Sequence, residues 1–356
     1  MPRGLLCAYA YTLPVITAAI AGASGYAGGE LIRLLSTHPE IQPTVLAAGG
    51  RAGETLGAVH PNLTQYADRV LVATTASVLA GCDIVFLALP HGESSTLAAE
   101  LPHDQRIIDL GADFRLIEAG DWERFYGGNH AGTWTYGLPE LPGAREAITA
   151  SLRVANPGCY PTSVALALSP VLARGLVSSD DIVIVAVSGT SGAGRKPADS
   201  LLATQVMGSM SAYKVGGTHQ HTPEMTQTLS IAAGGPVTVS FTPMLAPMPR
   251  GILATCSAPA RPGISATDIR AALEAAYQDE PFVHVLPEGQ WPHTSSVIGT
   301  NVAHLQCALD EHAGRVVVVC AIDNLGKGAA GQALQNANIM CGLAENLGLS
   351  INGIAP

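Results

Sequence analysis

The sequence predicts an α/β chain: a doubly wound parallel sheet, followed by a second, mostly antiparallel α+β domain. Three observations carry this. Short apolar runs alternate with helical segments in the first half, the pattern of parallel strands buried under crossover helices. A glycine cluster with GxxGxxG spacing, Gly22, Gly25 and Gly28, follows the first run directly. From Asp181 onward, Val/Ile-rich strands dominate, with one helix among them. At 356 residues the chain is long enough for two domains of ordinary size.

Val15 to Ala21 is a short apolar run, consistent with a buried parallel strand. The glycine cluster then opens a helix to about His38 whose apolar positions are Leu31, Ile32, Leu34 and Leu35. Glycines there let backbone approach a pyrophosphate docked on a helix N-terminus, so Gly22, Ser24, Gly25, Tyr26, Ala27 and Gly28 are candidate nucleotide contacts; a plain turn is the alternative. The next strand, Thr44 to Ala48, leads to Gly49, Gly50 and Arg51 rather than to the carboxylate that holds an NAD ribose. An arginine there suits a 2′-phosphate and favours NADP(H); the alternative is a solvated loop charge. Val70 to Ala73, Asp83 to Leu89 and Arg106 to Leu110 read as strands, with helical segments at Thr75–Ala80 and Ser94–Glu100. Pro90 and His91 lie in a loop at the carboxyl end of a strand, where open α/β sheets bind ligands. Trp122 to Leu141, rich in aromatics, Gly and Pro, reads as a connecting loop.

The stretch Ala155-Asn156-Pro157-Gly158-Cys159-Tyr160-Pro161-Thr162 then stands out. A tight turn precedes Cys159, and a helix with proline in its first turn follows it. Unpaired amides and the dipole at a helix N-terminus lower a thiol's pKa and suit a nucleophile; an inert buried cysteine is the alternative. Beyond Asp181–Val187, the loop Ser188 to Lys196 holds hydroxyls, amides and two cations that suit a phosphate or carboxylate, or it is a flexible linker. His219, His221 and Glu224 either ligate a metal or place one histidine as a general acid/base before a helix starting near Thr222; no third-ligand motif elsewhere supports the metal. Further strands are expected at Val237–Phe241, Gly251–Ser257, Val283–Leu286, Asn301–Leu309 and Arg315–Ile322. A helix capped by Ser265 or Thr267 lies among them, and a final helix runs to about Leu343. Arg250 sits between turn residues.

The composition is compact and globular, 47% hydrophobic and 13% charged. A net charge of −10 with three lysines, Lys196, Lys214 and Lys327, leaves no basic patch for nucleic acid. Seven dispersed cysteines (Cys7, Cys82, Cys159, Cys256, Cys307, Cys320, Cys341) without a CxxC pair fit reduced thiols in a cytosol. Arg3 followed by Leu5 to Ala10 reads as a ragged leader into the first strand rather than a signal peptide, and no apolar run spans a membrane. There is no internal repeat.

Taken together, GASGYAGGEL, DLGADFRL, YGLPEL, NPGCYPT, VSGTSGAGR, HQHTPE, PRGI and IDNLGKGAAGQA occur in an order that resembles one family, from about residue 15 to 345. That family is N-acetyl-γ-glutamyl-phosphate reductase of arginine biosynthesis, a relative of aspartate-semialdehyde dehydrogenase. The resemblance implies a Rossmann-type NADP-binding domain (1–158, completed by 327–356) and a glyceraldehyde-3-phosphate-dehydrogenase-like catalytic domain (159–326). It implies NADP(H), an acyl phosphate substrate, release of inorganic phosphate, and a homodimer or homotetramer; a cytoplasmic location and no metal, nucleic-acid or membrane partner are expected from the composition and motifs above. By position, Cys159 matches the nucleophile and His219 the acid/base. Gly22 to Gly28, Arg51, Pro90, His91, Ser188, Gly189 and Asn324 are expected at the cofactor. Arg115, Ser191, Arg195 and Arg250 are expected at the substrate, with a structural ion pair as the equal alternative for Arg115 and Arg250. Gly111 stands where the family has serine. The rivals are the same chemistry on β-aspartyl or aminoadipate-type acyl phosphates, a non-catalytic NADP-binding sensor, and a metal hydrolase.

Overall fold

The computed structural model describes residues 15–354; the Arg3–Ala10 leader and Cys7 lie outside them. The first sheet has seven strands: β1 (Ile16–Ala21), β2 (Ile41–Ala48), β3 (Val72–Ala73), β4 (Ile84–Leu87), β5 (Arg106–Asp109), β6 (Thr135–Tyr136) and β7 (Arg153–Ala155). Their order is β3-β2-β1-β4-β5-β7-β6, and all neighbours are parallel. Its side chains alternate between two cores. Ala18, Ile20, Phe86, Ile108 and Val154 face one side, with helix α1 (Tyr26–Leu35). Ala19, Ala21, Val85, Leu87 and Ile107 face the other, with Leu97 and Ala98 of α2 (Glu93–Glu100). A sheet covered on both faces needs apolar residues at consecutive positions, which is why these strands read as continuous apolar runs.

After β7 come helix α3 (Cys159–Ala173) and strand β8 (Ile182–Ser188). Strand β9 (Ser211–Ala212), helix α4 (His221–Ala233), strands β10 (Val239–Leu245) and β11 (Ile252–Pro259), and helix α5 (Ala266–Tyr277) follow. Strands β12 (Val283–Val285), β13 (Ala303–Asp310) and β14 (Arg315–Ile322) complete a second sheet, ordered β12-β13-β14-β11-β8-β10-β9. Two of its pairings, β12 with β13 and β8 with β10, are parallel, and the rest are antiparallel. Helices α3, α4 and α5 cover one face, and Val164, Leu166, Leu168, Val171, Leu229 and Leu273 are fully or almost fully buried against Ile184, Ala254 and Val318. Each such aliphatic contributes about 1.5–3 kcal/mol relative to an exposed one.

Helix α3 carries Pro170 in its interior. That proline cannot donate to the Leu166 carbonyl, and the Tyr277 hydroxyl does so instead, at 2.7 Å. Ser265 caps α5 through a reciprocal capping box with Asp268. After β14 the chain makes a π-helical turn, Gly326–Ala330, and ends in α6 (Gly331–Met340), whose Ala333, Leu334 and Ala337 join Ala18, Ile20 and Leu31 in the first core.

Two local expectations need correction. The stretch from Trp122 is not all loop: Ala119–Phe125 is helical, and Trp122 is buried with Ala112 and Leu116 in a small separate core. The strand expected at Val70–Ala73 shrinks to two exposed residues, because a sheet edge offers one hydrogen-bonding partner and little burial.

Candidate active site

Cys159 is the first residue of α3, and its half-buried side chain stands where β7 hands over to the second domain. The turn before it is tied on every side. The Asn156 amide donates to the Asp109 carbonyl at 2.8 Å, and its side chain joins the Ala329 carbonyl at 3.2 Å and Asn336 at 3.1 Å. The Gly158 amide donates to the Glu224 carboxylate at 2.8 Å. Behind Cys159 lies Gly328, where a Cβ would come 2.8 Å from Cys159 Cβ; only glycine lets the π-turn press this close. The lowered thiol pKa expected of a helix start is not found. Burial pushes the thiol up to about 11, outweighing the Tyr160 amide and the Arg115 charge that favour the thiolate.

His219 is buried, its ring edge-on to those of Tyr160 and Tyr213 at centroid distances of 5.5 and 5.6 Å. Its Nδ1 accepts from the His221 amide at 3.0 Å. Burial, then the nearby Lys214 charge, lowers its pKa to about 4, so the ring is neutral near pH 7. A neutral ring whose Nδ1 is an acceptor carries its proton on Nε2, which makes that atom a donor. His221 is pushed well below the ordinary histidine range by burial and the His219 ring, and its Nδ1 has no partner. Glu224, weighed above as a metal ligand, is fully buried and engaged by Gly158, by the Tyr136 hydroxyl at 2.8 Å and by Arg115 at 3.3 Å.

On the cofactor side, Gly22 has φ +85°, and a Cβ there would lie 2.1 Å from the Ala88 carbonyl oxygen. Helix α1 starts at Gly25 with no side-chain cap and no acidic residue in its first turn. Its free amides fit a pyrophosphate. The corresponding end of α2 is already filled, since Asp113 accepts from the Gly92 and Ser95 amides at 2.8 and 2.9 Å. Between the domains lies a cavity of about 410 Å³ walled by Tyr26, Ser191, Arg195, Lys196 and Arg250. Asn324 sits behind it, bonding the Ser191 hydroxyl at 3.0 Å and the Gly251 amide at 2.8 Å. Pro90 and His91 are exposed beyond β4, with His91 edge-on to Tyr126 at 5.0 Å. Arg51, past the end of β2, is exposed and paired only with Glu54 at 3.1 Å.

Several of these side chains are engaged within the chain. Arg250, besides walling the cavity, bonds Glu30 of α1 at 2.8 Å and Asp323 at 2.8 Å, fastening the two domains, the ion-pair alternative weighed above. Burial opposes ionisation of Glu30, but hydrogen bonds from Arg33 and Arg250 win and hold its pKa at about 2. Arg115 is also engaged within the chain, through the Asn156 carbonyl, the Leu110 carbonyl and Glu224. Arg195 reaches across to the Ser24 and Val59 carbonyls at 3.1 and 2.8 Å and lies over the Tyr26 ring, beside the glycine turn. The Ser188 hydroxyl is buried on the Gly189 carbonyl at 3.0 Å, and the Gly189 amide on Gly251 at 2.9 Å, bonds that hold the loop together. Sequence reasoning missed the anchoring of Gly158 by Glu224 and the backing by Gly328. HQHTPE and IDNLGKG marked the segments, but not contacts spanning 66 and 169 residues.

This geometry, a cysteine at a domain junction beside a glycine-turn cleft, agrees with the family matches. Residues 17–151 match the family described as semialdehyde dehydrogenase, NAD binding domain, and residues 159–324 match semialdehyde dehydrogenase, dimerisation domain. The fold and site thus define a semialdehyde dehydrogenase with a nucleotide-binding first domain. A relative from Acidothermus cellulolyticus, named N-acetyl-gamma-glutamyl-phosphate reductase, is 61% identical over 95% of this chain and 98% of its own. One of the same name from Streptomyces coelicolor is 61% identical over 96% and 99%. The chain belongs to this reductase family, and it is an oxidoreductase. Among solved structures, aspartate semialdehyde dehydrogenase with NADP from Candida albicans superposes with a TM-score of 0.68 at 17% identity, over 94% of this chain and 99% of that one. That likeness concerns the fold alone. Among the described residues no helix is long and apolar enough to cross a membrane.

Proposed function

We propose that this chain reduces N-acetyl-L-glutamyl 5-phosphate to N-acetyl-L-glutamate 5-semialdehyde, with NADPH as reductant and Cys159 as nucleophile. The observation that carries this reading is the half-buried Cys159 at the start of α3, in a chain 61% identical to reductases of that name. Its sulfur attacks the acyl carbon as the thiol proton passes to the departing phosphate, leaving a thioester and inorganic phosphate. A thiol near 11 is mostly protonated, so losing its proton during attack suits it better than standing ionisation. The His219 Nε2–H donates to the acyl oxygen as negative charge gathers there, the task of an oxyanion donor. Bound in the cleft, the nucleotide would supply a hydride to the thioester carbon. His219 stabilises the resulting oxyanion, whose collapse expels the sulfur, and solvent returns a proton to it.

The residues fit such a cofactor. The free amides of α1 suit the pyrophosphate, and Arg195 over Tyr26 adds a cation beside them. Arg51, held only by an exposed pairing with Glu54, is available to a 2′-phosphate, which favours NADP(H). A homodimer is the assembly this reading supports. Outside the helices, the second sheet carries Val183, Val185, Val187, Leu253, Val317 and Val319 on one incompletely buried face, within the segment matched as a dimerisation domain. Six unpaired cysteines among the described residues fit the reducing cytoplasm.

The test is Cys159→Ser, assayed in both directions with substrate, NADP(H) and phosphate. Turnover is expected to vanish while nucleotide binding persists; a variant that keeps most of its turnover removes the thioester route.

A further inference from the structure

Two buried charges meet at the turn before the nucleophile. Arg115 Nε donates to the Asn156 carbonyl at 2.7 Å, and another of its nitrogens donates to the Leu110 carbonyl at 2.8 Å. Glu224 accepts from the Gly158 amide at 2.8 Å and from the Tyr136 hydroxyl at 2.8 Å. The two side chains, 5% and 1% exposed, pair with each other at 3.3 Å. The peptide units on either side of Pro157 are therefore gripped by opposite charges from two domains, the loop after β5 and helix α4. A buried ion pair is seldom the cheapest way to hold a turn, because desolvating two charges offsets most of their attraction. A neutral glutamine would also accept from the Gly158 amide.

We propose that Arg115 and Glu224 are positioning residues for Cys159: together they fix the Asn156–Gly158 turn, and their opposed charges set how readily the thiol ionises. This rests on Cys159 being the nucleophile. Arg115 favours the thiolate and Glu224 opposes it. The other polar groups around the thiol differ in kind. Tyr160 on its own helix and Tyr213 from the β9 segment are neutral phenols joined to each other at 3.0 Å. His219 and His221 at the start of α4 are held neutral, and Lys214 bonds Gln220 on the cleft side. From the π-turn, Lys327 turns away to Glu140 at 2.6 Å, and Asp323 is neutralised by Arg250. His91 lies farther out, beside Tyr126. Within this surround, Arg115 and Glu224 act on the thiol with opposite signs.

The experiment is the pH dependence of iodoacetamide alkylation at Cys159 in the full chain. It is read by mass on the Cys159 peptide, so the other thiols do not interfere. Glu224→Gln keeps an acceptor for the Gly158 amide and removes one negative charge. Its alkylation midpoint is expected to fall by about one pH unit or more, roughly a tenfold faster reaction at a given pH below the midpoint. Arg115→Gln is expected to move the midpoint up. The Arg115→Gln/Glu224→Gln double variant, which leaves no charge unpaired, is expected to return close to the parent value. NADPH binding and thermal unfolding verify that each variant is folded. Should Arg115→Gln not fold, Glu224→Gln and the double variant still decide. A folded Glu224→Gln with the parent midpoint, or a double variant shifted as far as it, overturns the proposal and leaves the pair as packing. Alkylation reads the thiol whether or not the enzyme turns over. Failure here is therefore distinct from failure of the reductase reading, which Cys159→Ser turnover reports.

Discussion

His219 shows what a single residue discloses only in three dimensions. HQHTPE suggests an acid/base candidate, but not which ring nitrogen is free or how the ring is charged. The hydrogen bond from the His221 amide and the burial of the ring answer both: the ring is neutral down to about pH 4 and donates from Nε2. Two outcomes follow. The acid limb of kcat/KM is expected near pH 4 rather than near 6.5, because protonation of His219 disrupts its Nδ1 bond only there. His219→Gln, whose amide nitrogen reaches a similar position, is expected to retain clearly more turnover than His219→Ala, which is expected to lose about 10²–10³-fold in kcat. Equal losses in steady-state rates would return His219 to a proton-accepting role. The arginines teach the same lesson. Arg115, Arg195 and Arg250 have the right chemistry for an anion, but their partners lie up to 220 residues away, and local sequence carries no record of that.

At the scale of elements, much was legible. The first strand and glycine turn, the helix after Cys159, the Ser265 cap and the strand from Arg315 to Ile322 follow from periodicity, capping chemistry and β-branched runs. The helix around Trp122 was hidden because seven residues of mixed texture have no period to show, and tertiary burial of one indole decides it. The π-turn before α6 was hidden too, since its geometry depends on what it packs against. It is also where a small change should matter. Gly328→Ala puts a methyl group 2.8 Å from Cys159 Cβ, so the π-turn or Cys159 must move. Turnover is expected to fall by about 10–100-fold with NADPH affinity nearly unchanged, as measured by steady-state kinetics and equilibrium titration. Unchanged kcat would show that the site tolerates looser packing there.

For the whole molecule, the two sheets face different environments. The first is enclosed on both faces, while the second leaves its valine-rich face incompletely covered, with Val185 at 37% exposure. Burial alternates along β8, β11 and β14, but these runs are apolar on both faces, so the sequence alone did not show which face is left uncovered or what covers it. Val185→Asp, pairing with Thr255 at the middle of the sheet, is expected to give a monomer by light scattering. A dimer of unchanged stability would place the contact elsewhere.

Helix α6 has a consequence during synthesis. Ala333, Leu334 and Ala337 complete the core of the first sheet, and Lys327 is sealed against Glu140 and Gln335 with no exposed surface. Translation delivers that cover some two hundred residues after β5, so the nucleotide-binding half is made with the α6 side of its Ile20 and Leu31 core still open. The half that begins the chain is thus the last to close, and chaperones have their longest opportunity there.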